Sequence, residues 1–262
     1  MDEIQIYLGA DGLMHCTVCK EPVEAFYPKG SFLETRKHHR QCACERKAYA
    51  EEAKYYKEKE HQERVVRNKK ICFEEKEMEG FMFQNVDRDS GAIRIAKEYV
   101  ANWQKMKQNH MGYLFWGPVG TGKSYLAACI ANALLEQEAT VKMTNFNTIL
   151  NDLFAAEDKT EYIRLLNGYE LLIIDDLGVE RNSEYALENI FSVIDWRYRS
   201  GKPLIITTNI PLVQLKQETK IEKKRIYDRI LERCIPVKID GVSRREAMAN
   251  DNMRTMKNIL KI

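Results

Sequence analysis

The sequence predicts an α/β chain. A parallel sheet flanked by helices is built around a phosphate-binding loop, and a small metal-binding module and a helical linker precede it. Three observations carry this reading. The run Gly117-Pro118-Val119-Gly120-Thr121-Gly122-Lys123-Ser124 fits the pattern G-x-x-x-x-G-K-[ST]. From Phe81 onward, short apolar runs alternate with helical patterns, as in a sheet buried on both faces. Four of the seven cysteines fall in residues 1–44, as Cys16-Thr17-Val18-Cys19 and Cys42-Ala43-Cys44.

The N-terminal segment, 1–44, is turn-rich and poor in large apolar groups. A segment of that size is hard to stabilise without a staple. Two cysteine pairs with 22 residues between Cys19 and Cys42 can close a tetrahedral zinc site. We therefore expect Cys16, Cys19, Cys42 and Cys44 to hold zinc, with His15, His38 and His39 as nearby alternative ligands. Cys72, Cys129 and Cys234 look unrelated, and Cys129 reads as a buried small thiol.

Residues 45–79 are dense in Glu, Lys and Arg, with Tyr49, Ala53, Tyr56 and Val65 interspersed and no Pro or Gly. They predict an exposed, mixed-charge helix that acts as a solvated connector and stops at Gly80.

The third segment, 80–262, carries the phosphate loop. Gly112–Trp116 predicts a buried strand and Ser124–Glu136 a helix, so the loop between them places its amides at a helix N-terminus, where an anion is favoured. Lys123 can reach β/γ oxygens of ATP or ADP, and the Ser124 hydroxyl can hold magnesium. Further strands are predicted at 140–144, 171–174, 203–207 and 234–239. The strand Leu171-Leu172-Ile173-Ile174 ends in Asp175-Asp176. Asp175 suits the magnesium shell, and Asp176 suits orienting or deprotonating the attacking water. Thr207-Thr208-Asn209 ends another strand at the same sheet edge, where Asn209 can touch the γ-phosphate or the water. The helix Lys220–Arg233 has an apolar stripe of Ile226, Ile230 and Leu231. Arg225, Arg229 and Arg233 share another face, and any of the three suits an arginine finger reaching a neighbour's γ-phosphate.

The net charge of +2 does not by itself demand nucleic acid. No run of eighteen apolar residues suggests a membrane span. Met1-Asp2-Glu3-Ile4-Gln5 shows no basic-then-apolar leader, so a reducing, cytoplasmic setting is expected, which favours metal over disulfides.

Taken in order, the phosphate loop, Ile-Ile-Asp-Asp-Leu-Gly, Thr-Thr-Asn, Tyr-Asp-Arg-Ile and Gly241-Val242-Ser243-Arg244-Arg245 resemble the DnaC/DnaI/IstB group of AAA+ ATPases over roughly residues 80–250. The resemblance implies a P-loop AAA+ core, with Asn209 as sensor 1, Arg229 as the arginine finger, and Gly241, Ser243 and Arg245 in a G-x-S-x-R tail. It also implies a zinc-bearing N-terminal domain that contacts a replicative helicase. The implied function is an ATP-dependent loader that places a hexameric helicase on single-stranded DNA and self-associates with ATP. The segment 145–167, with Phe146, Phe154, Lys159, Tyr162 and Arg164, is the implied DNA-contacting insertion. Many AAA+ proteins carry Asp-Glu where this chain has Asp175-Asp176, which suits a slow switch, and the tail 244–262 is short for a full helical lid. The alternatives are an IstB-type transposition helper, a P-loop small-molecule kinase, and a zinc adaptor with a vestigial nucleotide site.

Overall fold

The structure, a computed structural model, describes residues 5–85, 91–179, 183–241, 243, 252–257, 259 and 260. The chain divides into two compact units, Met1–Arg64 and Val65–Ile262.

In the first unit, β1 (Ile6–Leu8) pairs antiparallel with β2 (Met14–Cys16), and β3 (Glu24–Phe26) with β4 (Lys37–His39). The helix α1 (Ala43–Cys72) begins directly after. Its first turn is capped by Glu45, which accepts the backbone N–H of Cys42 at 3.0 Å, a carboxylate where the helix leaves amides unpaired. The buried apolar residues of this unit are Cys16, Val23 and Cys42, and large side chains such as Leu8, Val18 and Phe32 are exposed. Apolar burial this small cannot offset the entropy of ordering the chain.

In the second unit, the end of α1 departs from the exposed helix expected over 45–79. Val65, Lys69 and Cys72 are spaced by four and three residues, so they lie on one face, and all three are buried. Lys69 Nζ donates to Glu136 Oε1 at 2.9 Å. The helix stops at Cys72, and a 3-10 turn, Lys76–Gly80, follows. Then come α2 (Gly91–Ala101), α3 (Trp103–Gln108), β5 (Gly112–Trp116), α4 (Lys123–Glu136), β6 (Val141–Asn145), α5 (Phe146–Ala155), α6 (Lys159–Gly168), β7 (Leu171–Leu177), α7 (Glu184–Ser200), β8 (Leu204–Thr208), α8 (Leu212–Lys216), α9 (Ile221–Arg233) and β9 (Cys234–Lys238).

The sheet is parallel throughout, in the order β6-β7-β8-β5-β9. The near-continuous apolar strands have a simple cause. Tyr113, Phe115, Ile173 and Ile205 point into one core with α2 and α4, while Leu114, Leu172, Ile174, Leu204 and Ile206 point into the other with α5, α7 and α9. Helix starts are locally encoded. Asn145 accepts from Thr148 N–H, Asp158 from Thr160 and Glu161, and Ser183 from Ala186. Helix α4 differs, because Gly122 at its N-cap offers no side-chain acceptor.

The topology brings three strand ends together. β5 runs into the phosphate loop, β8 is its neighbour, and β7, which carries the two acids, lies beyond β8. Among the described residues no helix is long and apolar enough to cross a membrane.

Candidate functional site

The loop Gly117–Ser124 wraps the N-terminus of α4. Gly117, Gly120 and Gly122 all have positive φ, at 148°, 80° and 95°. A side chain at Gly117 would collide with the Ile239 carbonyl, and one at Gly120 with the Ser243 hydroxyl. Glycine is therefore required on both conformational and steric grounds. Pro118 and Val119 are exposed on the rim, and Thr121 Oγ1 donates to the Pro118 carbonyl at 2.9 Å. Lys123 is buried. Its Nζ donates to Gly117 O at 3.0 Å, Pro118 O at 2.8 Å and Asn209 Oδ1 at 2.6 Å. The ammonium thus lies inside the loop's curl, neutralised by dipoles that a phosphate can replace.

Asp175 and Asp176 lie near the end of β7, as expected, and the strand runs one residue further, to Leu177, through an irregularity in its pairing with β8. Asp175 accepts from Thr207 Oγ1 at 2.5 Å, and the Ser124 hydroxyl also bonds to it. Burial pushes the Asp175 carboxyl above its ordinary value; the two hydroxyls and the Lys123 charge pull the other way, and the Asp176 charge adds to the rise. A part-buried carboxylate and a hydroxyl sharing one side of the loop form an oxygen donor set that fits magnesium. Asp176 has φ 54°, rare for a residue with a side chain, and its N–H donates to Thr207 Oγ1 at 2.9 Å.

Arg225, Arg229 and Arg233 do share a face of α9, and that face packs on α7 of the same chain. Arg225 and Arg229 lie over the Phe191 ring, at 4.4 and 4.6 Å from its centroid, and Arg233 lies over Tyr198 at 4.7 Å. Arg229 Nε donates to Asp195 Oδ1 at 2.8 Å, and Arg199 Nε to Asp195 Oδ2 at 2.8 Å. Phe191, Asp195 and Tyr198, spaced by four and three along α7, were a complementary stripe that the sequence displayed but that our reading of α9 alone did not use.

In the segment 145–167, Phe146 belongs to the core, whereas Phe154 is 82% exposed, which leaves it open to stacking. Tyr162 donates to Asp152 at 2.7 Å, Lys159 lies over the Tyr185 ring, and Arg164 pairs with Glu161. Ser243, after β9, lies against Gly120 of the phosphate loop; Gly241 precedes it, and Arg245 lies outside the described residues.

In the first unit the Sγ atoms of Cys16, Cys19, Cys42 and Cys44 all lie within 4.8 Å of one another. A tetrahedron of thiolates at 2.3 Å from zinc has sulfur–sulfur edges of about 3.8 Å, so a small contraction closes the site. Backbone N–H groups at Glu21 and Cys44 point at Cys19 and bring its thiol down to about 6. Sharing hydrogen bonds with Cys19, together with burial, pushes Cys44 up to about 12. The backbone thus favours one thiolate while the next is opposed, and a bound cation would favour both. His15 contacts Asp11 and the Lys20 carbonyl, and His39 contacts Glu45, so the histidines have other partners.

Thr207 is the site residue that the sequence reading passed over in favour of Asn209. Its signal was its position, two residues before Asn209 in a central strand where alternation turns it inward.

Residues 46–251 match the family described as IstB-like ATP binding protein. The chain is 30% identical over 144 residues to the replicative helicase loader DnaC of Escherichia coli K12, covering 53% of this chain and 56% of that protein. It is 23% identical over 192 residues to the replicative helicase loader DnaI of Bacillus subtilis 168, covering 67% and 62%. The chain therefore spans less than two thirds of either relative. The crystal structure of DnaI superposes with a TM-score of 0.58 at 26% identity, over 68% of this chain and 99% of that one.

Proposed function

The chain belongs to the IstB-like ATP binding protein family, and from that premise we propose that it is an ATP-dependent loader that binds a hexameric replicative helicase and helps place it on single-stranded DNA. The observation that carries the nucleotide part is the meeting of Lys123, Ser124, Asp175 and Asn209 at one end of β5, β8 and β7. The relatives described as helicase loaders support the choice of target.

In this reading the phosphates of ATP or ADP take the amides of Gly120, Thr121 and Gly122 and the N-terminus of α4. Lys123 leaves the carbonyls of Gly117 and Pro118 for the β/γ oxygens. Ser124 and Asp175 hold magnesium, which supplies positive charge at those oxygens. Asp176 orients the attacking water, Asn209 reports the γ-phosphate, and Arg229 completes a neighbour's site when subunits assemble. An Asp at position 176 reaches less far than a Glu, which suits slow hydrolysis that acts as a switch.

The module 1–44 holds zinc through its four cysteines and docks on the helicase. Residues 45–79 are the linker, and 80–262 the ATPase domain. Phe154, exposed on α5, stacks on single-stranded DNA. A cytoplasmic site of action follows from this role.

One finding favours a second reading. The IstB-like family match begins at residue 46, after the cysteine module, so it fits an IstB-type transposition helper as well as a loader. The test is reconstitution. With ATP, the purified chain should retain a hexameric helicase and increase its loading on single-stranded DNA, and Lys123→Ala should not. Retention of a transposase, with no effect on a helicase, would replace the loader with the helper.

A further inference from the structure

The pairing of β7 with β8 contains one extra residue on β7. Ile174 is opposite Ile206, but the next pair is Leu177 opposite Thr208, so three steps on β7 match two on β8. A bulge of this kind leaves a backbone group outside the ladder and bends the strand. The bulge falls on the two acids. Asp176, within it, is held at φ 54°, a conformation that is costly for a residue with a Cβ and persists only where neighbours enforce it.

Thr207 supplies that enforcement with one hydroxyl. Its Oγ1 accepts the Asp176 N–H at 2.9 Å and donates its own hydrogen to Asp175 Oδ1 at 2.5 Å. The side chain is 0% exposed. A hydroxyl has one hydrogen to give and lone pairs to receive, so it can satisfy an amide and a carboxylate at once, and no apolar side chain of the same shape can. Thr208, equally buried, serves the adjoining backbone by donating to Leu177 O and accepting from Ile210 N–H. Thr207 is thus the member of the pair that touches the acids.

We propose that Thr207 is a positioning residue of the nucleotide site, whose hydroxyl fixes the Asp175 carboxylate beside Ser124 and holds the bulged backbone from which Asp176 projects. This rests on the reading of Asp175 and Asp176 as the acids of that site. Thr207 itself does not meet the nucleotide. It acts by spending one Asp175 oxygen on a fixed partner, which orients the other, and by keeping Asp176 in a conformation it would otherwise leave.

The test uses the full chain with Thr207→Val, which keeps shape and removes the hydroxyl, and Thr207→Ser, which keeps the hydroxyl. Amide exchange across residues 171–179 is read in nucleotide-free protein. Affinity for a fluorescent ATP analogue is read in EDTA and in magnesium. In Thr207→Val the segment should exchange at least about tenfold faster, and magnesium-dependent tightening should fall about tenfold, the scale of a lost hydrogen bond to a charged group. Affinity in EDTA should stay within about twofold of wild type. Thr207→Ser should match wild type in both. If Thr207→Val does not fold, Thr207→Cys takes its place, since a thiol keeps the volume but bonds weakly. Unchanged exchange and unchanged magnesium tightening in the hydroxyl-less variant would overturn the proposal. So would equal losses in Thr207→Ser, because the methyl packing would then be responsible. If wild type shows no magnesium tightening, the reading of the site fails; the exchange readout still judges the Thr207 link separately.

Discussion

Lys123 and Asn209 are bonded to each other: Lys123 Nζ donates to Asn209 Oδ1 at 2.6 Å, across 86 positions of sequence. The loop after β5 and the end of β8 therefore share a charge. A phosphate that draws the ammonium away leaves the Asn209 side chain in search of a new partner, so occupancy of the loop is felt at the end of β8. From there the chain runs through Ile210 to α8, and Ile210 packs on Gly178 just past the two acids.

The two residues should separate binding from turnover. Lys123→Ala should abolish measurable ATP binding, because the loop offers no second cation. Asn209→Ala should bind ATP within a few-fold of wild type yet hydrolyse it about a hundredfold more slowly, as when one positioned polar group is removed from a reacting centre. Titration with a fluorescent analogue and single-turnover hydrolysis read the two effects. Unchanged affinity in Lys123→Ala would remove this loop from the site.

The cysteine cluster should carry about one zinc per chain, the number a single tetrahedral site holds. Replacing Cys16 and Cys42 with serine should release it and unfold the first unit, because Cys16, Val23 and Cys42 are the only buried apolar cluster described there. Structural zinc contributes on the order of 10 kcal/mol to such modules. ATP binding should survive. Metal analysis and nucleotide titration of one preparation check both halves, and stoichiometric zinc in the double variant would refute the ligand set.

Much of this was legible in the sequence because the signals were local. The glycines of the phosphate loop, the apolar run before Asp175 and the paired cysteines each encode their geometry within a few residues. What was not legible depends on strand order. That β8 lies between β5 and β7 cannot be read from any one segment, and it is this placement that makes Thr207 the link between the acids. The burial of Val65, Lys69 and Cys72 was hidden for a similar reason, since a highly charged helix turned out to be buried only in its last turns. The shared arginine face of α9 is legible from its spacing, but its partner stripe on α7 lies beyond two intervening elements, β8 and α8.

Arg197 illustrates a residue with no local signature at all. It is 1% exposed, and its guanidinium donates to the carbonyls of Tyr169, Glu170 and Pro203 at 2.5–3.1 Å. It thereby ties the end of α7 to the turns that enter β7 and β8. Arg197→Met should keep the stem's packing but strand three acceptors, the Pro203 carbonyl buried and the other two part-buried, at a cost of about 3 kcal/mol. Denaturant unfolding measures this, and a loss below about 1 kcal/mol would mean that water replaces the guanidinium.

Arg229 presents the sharpest test of assembly, because within one chain it is already engaged by Asp195. To reach a neighbour's γ-phosphate it must leave that carboxylate, which keeps Arg199 as a partner. Two variants break the same ion pair with different consequences. Asp195→Ala removes the partner and keeps the arginine; Arg229→Ala removes the arginine. Asp195 is 8% exposed and the Arg229 side chain 24%, so breaking the pair should cost about 1–3 kcal/mol, and denaturant unfolding of both variants checks that they fold. If Arg229 acts in trans, Arg229→Ala should bind ATP normally, lose hydrolysis by about a thousandfold, and fail to form ATP-dependent assemblies, while Asp195→Ala retains both activities. Mixing Arg229→Ala with Asp176→Asn should restore part of the rate, since some interfaces then pair an intact arginine with an intact acid. Equal losses in Asp195→Ala and Arg229→Ala would assign the pair a structural role between α7 and α9. Failure of the mixture to recover, with a rate independent of protein concentration, would show that each chain works alone. Arg225 and Arg233, stacked on the same helix, go through the same mixing assay, and the one whose loss is rescued is the residue that crosses the interface.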